Sequence, residues 1–339
     1  MDLHPALPIS AFAKDKADLY FINAQTILSA DRRDPVVTME IFPNRSGILC
    51  GMREVCGLLA NILPDHGEVF ALGEGESMSG HEIVLRITAP YQSFGLYETA
   101  ILGILAHESG WATAARECID AAGGIPIVSF GARHVHPEVS ARMEYAAIVG
   151  GCVGCATPAG AELSGVTPTG TIPHAFILIY GDTVEAMRIF DSVMPSHMRR
   201  IALVDTFKDE AEESLRVAEA LGERLWGVRL DTPSERGRVT PDLVKEVRAR
   251  LDQAGYRHVK IVVSGGVDVE RICRFREEGA PVDAFGVGSA ISSAQPIDFT
   301  GDLKEVEGHP VAKRGRIPGR TENPRLHQID LKTFRWWEG

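Results

Sequence analysis

The chain has 339 residues, 45% hydrophobic and 24% charged, with 46 Asp and Glu against 35 Lys and Arg and a formal net charge of -11. That length predicts two domains, or one large barrel with an appendage, and the composition is globular rather than disordered. The acidic balance argues against nucleic acid or an anionic membrane as main partner, but a small anionic substrate held by local cations remains compatible with it.

The start, Met1-Asp2-Leu3-His4-Pro5, lacks the basic and apolar regions of a signal peptide, and no apolar run reaches about 18 residues. Neither export nor a transmembrane helix is expected. Six scattered cysteines suit a reduced, cytoplasmic protein; Cys152 and Cys155 have CxxC spacing without a second pair, and their small neighbours favour close packing over zinc. The first hundred or so residues mix short extended runs, 36–42 and 82–87, with Gly and Pro turns, which predicts an α+β domain. Near its start, Asp18-Leu19-Tyr20-Phe21 carries two adjacent aromatics, core by default, although one could stack on a planar ring. A long helix is predicted over 97–122.

From about residue 125 the texture changes. Apolar runs at 126–130, 176–180, 201–204, 225–228, 260–263 and 282–285 each end in a polar or glycine-rich signature. Continuous apolar strands belong to a parallel sheet covered by helices, and helical patterns lie between several of them. Thr240 with Pro241 opens one helix that ends before Gly255; 210–221 makes a second, and 269–278 a third, stopped by Gly279. Strand–helix repetition of this length predicts a barrel or a doubly wound sheet, and in both ligands bind at the carboxyl ends of the strands. The signatures sit there. From about Pro296 the chain returns to extended, charged texture with a basic cluster at Lys313-Arg314-Gly315-Arg316.

Ser264-Gly265-Gly266 ends one strand and opens a helix, and Gly286-Val287-Gly288-Ser289 ends the next. Glycines there let backbone N–H groups approach an anion, and two such turns at consecutive late strands favour a phosphate site over mere tight turning. Asp205 and Asp231 end neighbouring strands, where they could hold Mg²⁺ or ribose hydroxyls, or simply cap helices. Arg133 and Arg229 follow apolar runs and suit carboxylate or phosphate. His174 leads into an apolar run read as a strand, where a lone histidine is usually structural. His134 and His136 flank Val135 in an extended piece and face opposite ways, which excludes a preformed metal pair.

Ten segments in order, including Asp18-Leu19-Tyr20-Phe21, Gly95-Leu96-Tyr97-Glu98-Thr99, Phe130-Gly131-Ala132-Arg133, Gly170-Thr171-Ile172-Pro173-His174, Val204-Asp205-Thr206, Arg229-Leu230-Asp231, Ser264-Gly265-Gly266, Gly286-Val287-Gly288 and Lys313-Arg314-Gly315, give the chain a family likeness. It resembles the nicotinate phosphoribosyltransferases, type II phosphoribosyltransferases of NAD salvage. The resemblance implies transfer of phosphoribosyl from phosphoribosyl pyrophosphate to nicotinate, giving nicotinate mononucleotide and pyrophosphate. It implies Mg²⁺, held by Asp205 and Asp231, and ATP as co-substrate through a phosphorylated His174. Phe130 would stack on the pyridine, with Tyr20 or Phe21 of a partner subunit on its other face. Arg133 and Thr171 would also meet substrate. Arg229 would contact phosphate, and Ser264, Gly265, Gly266, Gly286, Gly288, Ser289 and Lys313 would line the phosphate sites.

The implied fold is an irregular α/β barrel, 125–295, flanked by an α+β domain built from 1–124 and 296–339. The implied assembly is a homodimer or higher homo-oligomer with shared active sites. Val153 departs from an acidic residue common in relatives, which weakens a nicotinamide reading. The alternatives are a phosphoribosyltransferase for nicotinamide or quinolinate, or a non-catalytic phosphosugar-binding protein.

Overall fold

The structure is a computed structural model that describes residues 16–334; the Met1–Pro5 start read above lies outside them. The chain divides into two compact units, Met1–Thr113 with Gln295–Gly339, and Ala114–Ala294. The division falls inside the long helix Glu98–Ala122, earlier than the expected residue 125. No helix among the described residues is long and apolar enough to cross a membrane.

The first unit is built on a six-stranded sheet, with every neighbouring pair antiparallel. Val36–Pro43 runs through its middle, buried from Val37 onward, between Leu85–Pro90 and the C-terminal Phe299–Val306. Leu85–Pro90 alternates buried and partly exposed residues, so Leu85, Ile87 and Ala89 enter a core with Ile41, Leu59, Phe94 and Leu105. This strand begins at Leu85 rather than residue 82.

Buried Glu40 ties the C-terminal tail into this sheet. One of its oxygens accepts from Arg86 Nε at 2.8 Å, Lys304 Nζ lies 4.0 Å from the other, and the Thr321 N–H donates to the carboxylate at 3.0 Å. Such a carboxylate is tolerable only because cations and an amide meet it.

The second unit is an α/β half-barrel. Its parallel sheet runs Gly154–Cys155, Ile127–Ser129, Ala284–Val287, Lys260–Val263, Leu225–Leu230, Arg200–Leu203, with all five pairings parallel. Helices follow the predicted punctuation. Thr240 Oγ1 accepts from Leu243 N at 3.2 Å to open Pro241–Gln253, and Asp209 and Asp268 cap Glu210–Leu221 and Val269–Glu277 in the same way.

Two expectations change. Residues 176–180 are not a strand: they belong to the helix His174–Tyr180, entered from extended Pro173 and ended by Gly181 at φ 74°. His134 and His136 do not flank a simple extended piece either. His134 ends the short helix Ala132–His134, and His136 Nδ1 accepts from Glu138 N to cap Pro137–Val149. Cys152 and Cys155 are free and buried, and burial pushes both thiols up to about 12. Neither is a thiolate at neutral pH, in keeping with a packing role.

Two measurements check the first unit. Glu40→Ala leaves Arg86 and Lys304, among the described residues, with only the carbonyls of Thr321 and Ile317 and is expected to cost about 3 kcal/mol in chemical denaturation. Burial, with Asp302 and Asp18 nearby, pushes the Glu98 carboxyl up from 4.5 to about 7. Its proton is held more tightly in the folded state, so this stability is complete below pH 4.5 and is lost as pH rises through 7. Wild type should therefore lose about 1–3 kcal/mol relative to Glu98→Gln between those limits; parallel pH profiles would refute the assignment.

Candidate active site

The carboxyl ends of the parallel strands bring several charged side chains together. Asp205 stands just past Arg200–Leu203, with its side chain only 2% exposed. His174, first residue of its helix, sets Nε2 3.0 Å from Asp205 Oδ2. The other oxygen, Oδ1, is buried without a hydrogen-bond partner among the described residues, as are Thr206 Oγ1 and Ser129 Oγ. Burial raises the Asp205 pKa above the usual carboxylate value; His174 opposes that shift, and Asp231 adds to it.

The next strand supplies a second carboxylate. Asp231 Oδ1 accepts from Ser264 Oγ at 2.7 Å, while Oδ2 lies 3.3 Å from Arg229. Arg229 Nε donates to the same Ser264 hydroxyl at 2.8 Å, and its guanidinium lies 4.9 Å above the centre of the Phe130 ring. Thus Arg229, Asp231, Ser264 and Phe130, drawn from three strand ends, form one connected group. Gly286 makes room for it, since a Cβ there would lie 2.3 Å from Phe130 Cε2.

Gly265 and Gly266 have φ of 84° and 63°, which a side chain would strain. No intramolecular acceptor for their N–H groups occurs among the described residues. Their carbonyls are instead held by Arg271, which donates to Gly265 O at 2.7 Å and Gly266 O at 2.9 Å. Arg238 approaches Gly265 O at 3.4 Å. Sequence reading missed both arginines; the one available signal was Arg271 in the first turn of the helix after the glycines. At the neighbouring turn, a Cβ on Gly288 would lie 2.9 Å from the His134 ring, which meets Ser292 Oγ at 3.2 Å.

Other expected residues stand apart from these contacts. Arg133 is exposed, with no carboxylate within ion-pair distance among the described residues. Half-buried Thr171 donates, among the described residues, to Ile172 O at 3.4 Å, and Ser289 is exposed at the start of Ser289–Ser292. Tyr20, Phe21 and Lys313 belong to the first unit. There Phe21 is buried while Tyr20 is 62% exposed, so of the two aromatics Tyr20 is the one available to a ligand.

A planar ring beside a cation, two glycine turns and two nearby carboxylates suit a phosphorylated substrate with a ring. The oxygen donor set also fits a hard divalent cation such as Mg²⁺: Asp205 Oδ1 is an orphaned acceptor, and Asp231 faces the same site.

The comparisons agree with this chemistry. The family model of the quinolinate phosphoribosyl transferase C-terminal domain matches residues 111–302, and that of its N-terminal domain 18–109. A nicotinate phosphoribosyltransferase of Mycobacterium tuberculosis (strain CDC 1551 / Oshkosh) is 31% identical over 76% of this chain and 56% of its own length. The chain thus spans little more than half of that curated relative. A nicotinate-nucleotide pyrophosphorylase from Pyrococcus furiosus superposes with a TM-score of 0.86 at 42% identity, covering 97% of this chain and 86% of that one. Human nicotinic acid phosphoribosyltransferase shares the fold, with a TM-score of 0.73 at 20% identity over 89% of this chain and 77% of its own. With both domain models matched in order and the parallel-strand site in place, the chain belongs to the type II phosphoribosyltransferase family.

Proposed function

We propose that the protein transfers phosphoribosyl from phosphoribosyl pyrophosphate to the ring nitrogen of nicotinate, giving nicotinate mononucleotide and pyrophosphate in NAD salvage. The observation that carries this reading is the strand-end group itself: buried Asp205, whose Oδ1 has no partner among the described residues, near Asp231, and Arg229 laid over Phe130. The relative named a nicotinate phosphoribosyltransferase supports the choice of acceptor.

In this reaction the bond from ribose C1 to pyrophosphate breaks as the pyridine nitrogen supplies its lone pair to C1. Positive charge develops at C1, so the protein's task is to bind phosphates, hold the ring in line and stabilise charge. No general base is required. Phe130 receives the ring and Arg133 its carboxylate, Arg229 contacts phosphate, and Thr171, with Tyr20 of a partner subunit, completes the substrate contacts. The glycine turns, with Ser289, take phosphate. Asp205 and Asp231 would hold Mg²⁺, which when bound screens the leaving pyrophosphate. With Nε2 occupied by Asp205, His174 has Nδ1 left for a phosphoryl group from ATP, as the proposed ATP coupling requires. A cytoplasmic homo-oligomer with shared sites belongs to the same proposal.

Quinolinate is the second reading, favoured by the description of both domain models. It brings a second carboxylate, and its product loses CO2. Incubating the protein with phosphoribosyl pyrophosphate, Mg²⁺ and each of nicotinate, nicotinamide and quinolinate separates the acceptors. Nicotinate mononucleotide from nicotinate alone is the expected result; product from quinolinate with CO2 release would replace that acceptor. Adding ATP should stimulate turnover and leave acid-labile phosphate on wild type but not on His174→Ala.

Asp205→Ala should lower kcat about 100-fold or more, as loss of an electrostatic contact to the transition state does. Gly286→Ala drives a methyl into Phe130, with an expected stability loss of about 1–3 kcal/mol. Combining it with Phe130→Leu should recover part of that loss in denaturation.

A further inference from the structure

We propose that Arg271 and Arg238 complete the anion seat at the Gly265–Gly266 turn, Arg271 as a positioning residue and Arg238 as a direct contact to the 5′-phosphate of phosphoribosyl pyrophosphate. The inference rests on the proposed function for the identity of the ligand, but the seat itself is built from contacts within the chain.

Arg271 holds the turn from behind. Its Nη1 donates to Gly265 O and Gly266 O, and its Nη2 to Val239 O at 2.6 Å. One guanidinium thereby joins the turn after Lys260–Val263 to the loop before Pro241–Gln253. With these carbonyls fixed and both glycines at positive φ, the peptide planes are set, and the Gly265 and Gly266 amides have no acceptor of their own among the described residues. Successive unengaged amides of this kind form an anion-binding concavity. A lysine has the charge of Arg271 but not the planar fork that reaches several carbonyls at once.

Arg238 lies over the same turn. Its Nη1 would be 1.8 Å from a Cβ on Gly266, so it occupies the space that only a glycine leaves open. It holds Gly265 O only at 3.4 Å, has no carboxylate within ion-pair distance among the described residues, and is exposed. Its remaining donors are available to a ligand. Its backbone is held at φ 63°, an unusual position for a residue with a side chain. The charges of the two arginines oppose each other, and the Arg271 pKa is lowered by burial first and by Arg238 second. An anion between them and the amides would relieve that repulsion.

Calorimetric titration of the full chain with ribose 5-phosphate, and separately with pyrophosphate, tests this without relying on turnover. Arg238→Ala should weaken ribose 5-phosphate roughly 10- to 100-fold while changing pyrophosphate less than about 3-fold. Arg238→Lys should restore most of the affinity. Arg271→Lys should not, because charge alone cannot fix the carbonyls. Unchanged ribose 5-phosphate affinity in Arg238→Ala, equal loss of both ligands, or full rescue by Arg271→Lys would overturn the assignment, as would absence of ribose 5-phosphate binding by wild type. Wild type that binds ribose 5-phosphate but converts no pyridine would remove the proposed reaction and leave the seat standing.

Discussion

The Asp231 carboxylate is the joint on which the site depends. Ser264 donates to one of its oxygens and Arg229 faces the other, while Arg229 also donates to the Ser264 hydroxyl. This closed triangle ties the end of Leu225–Leu230 to the end of Lys260–Val263, and Arg229 extends it to Phe130 beyond Ile127–Ser129. Each side chain is thus oriented by another rather than by its own rotamer preference. Such mutual fixing is what preorganised binding needs, and it works here because parallel strands present all their carboxyl ends on one rim. Gly286 belongs to the same constraint, since the ring sits where its side chain would be.

Much of this was legible in the sequence because strand, turn and cap signals are local. Apolar runs ending in Asp205, Asp231, Ser264-Gly265-Gly266 and Gly286 marked the rim, and Thr240-Pro241 and Gly279 marked helix ends. The misreading at 176–180 has a physical cause. Five apolar residues fit a buried strand and a short helix equally well, and periodicity does not separate them. The deciding punctuation was Pro173 before and Gly181 after, helix signals at both ends. Periodicity did not place the C-terminal tail, which the family resemblance alone assigned to the first domain: its place rests on pairing between Val37 and Val306 and on Glu40, contacts across most of the chain that no local pattern encodes.

Net charge gave a true but incomplete account. A formal -11 describes the whole chain, whereas the rim concentrates Arg229, Arg238 and Arg271 around glycine turns. Within a few ångströms, local charge outweighs distant acidic groups, which solvent and salt screen beyond about 10 Å. Arg238 and Arg271 escaped sequence reading because a guanidinium that serves backbone carbonyls has no spacing rule. Only the folded turn shows which carbonyls it meets.

The buried Asp205 closes the account of why such a rim is built at some expense of stability. One carboxylate oxygen meets His174, while Oδ1 has no partner among the described residues, and a buried acceptor left unsatisfied costs about 1–3 kcal/mol. Thr206 Oγ1 and Ser129 Oγ, each next to a rim residue, are orphaned too. A fold selected for stability alone would pair these atoms or replace them with apolar groups. These three atoms stand at the carboxyl ends of the strands, where an oxygen-bound ion or a hydroxylated ligand that met them would gain as affinity the cost of burying them.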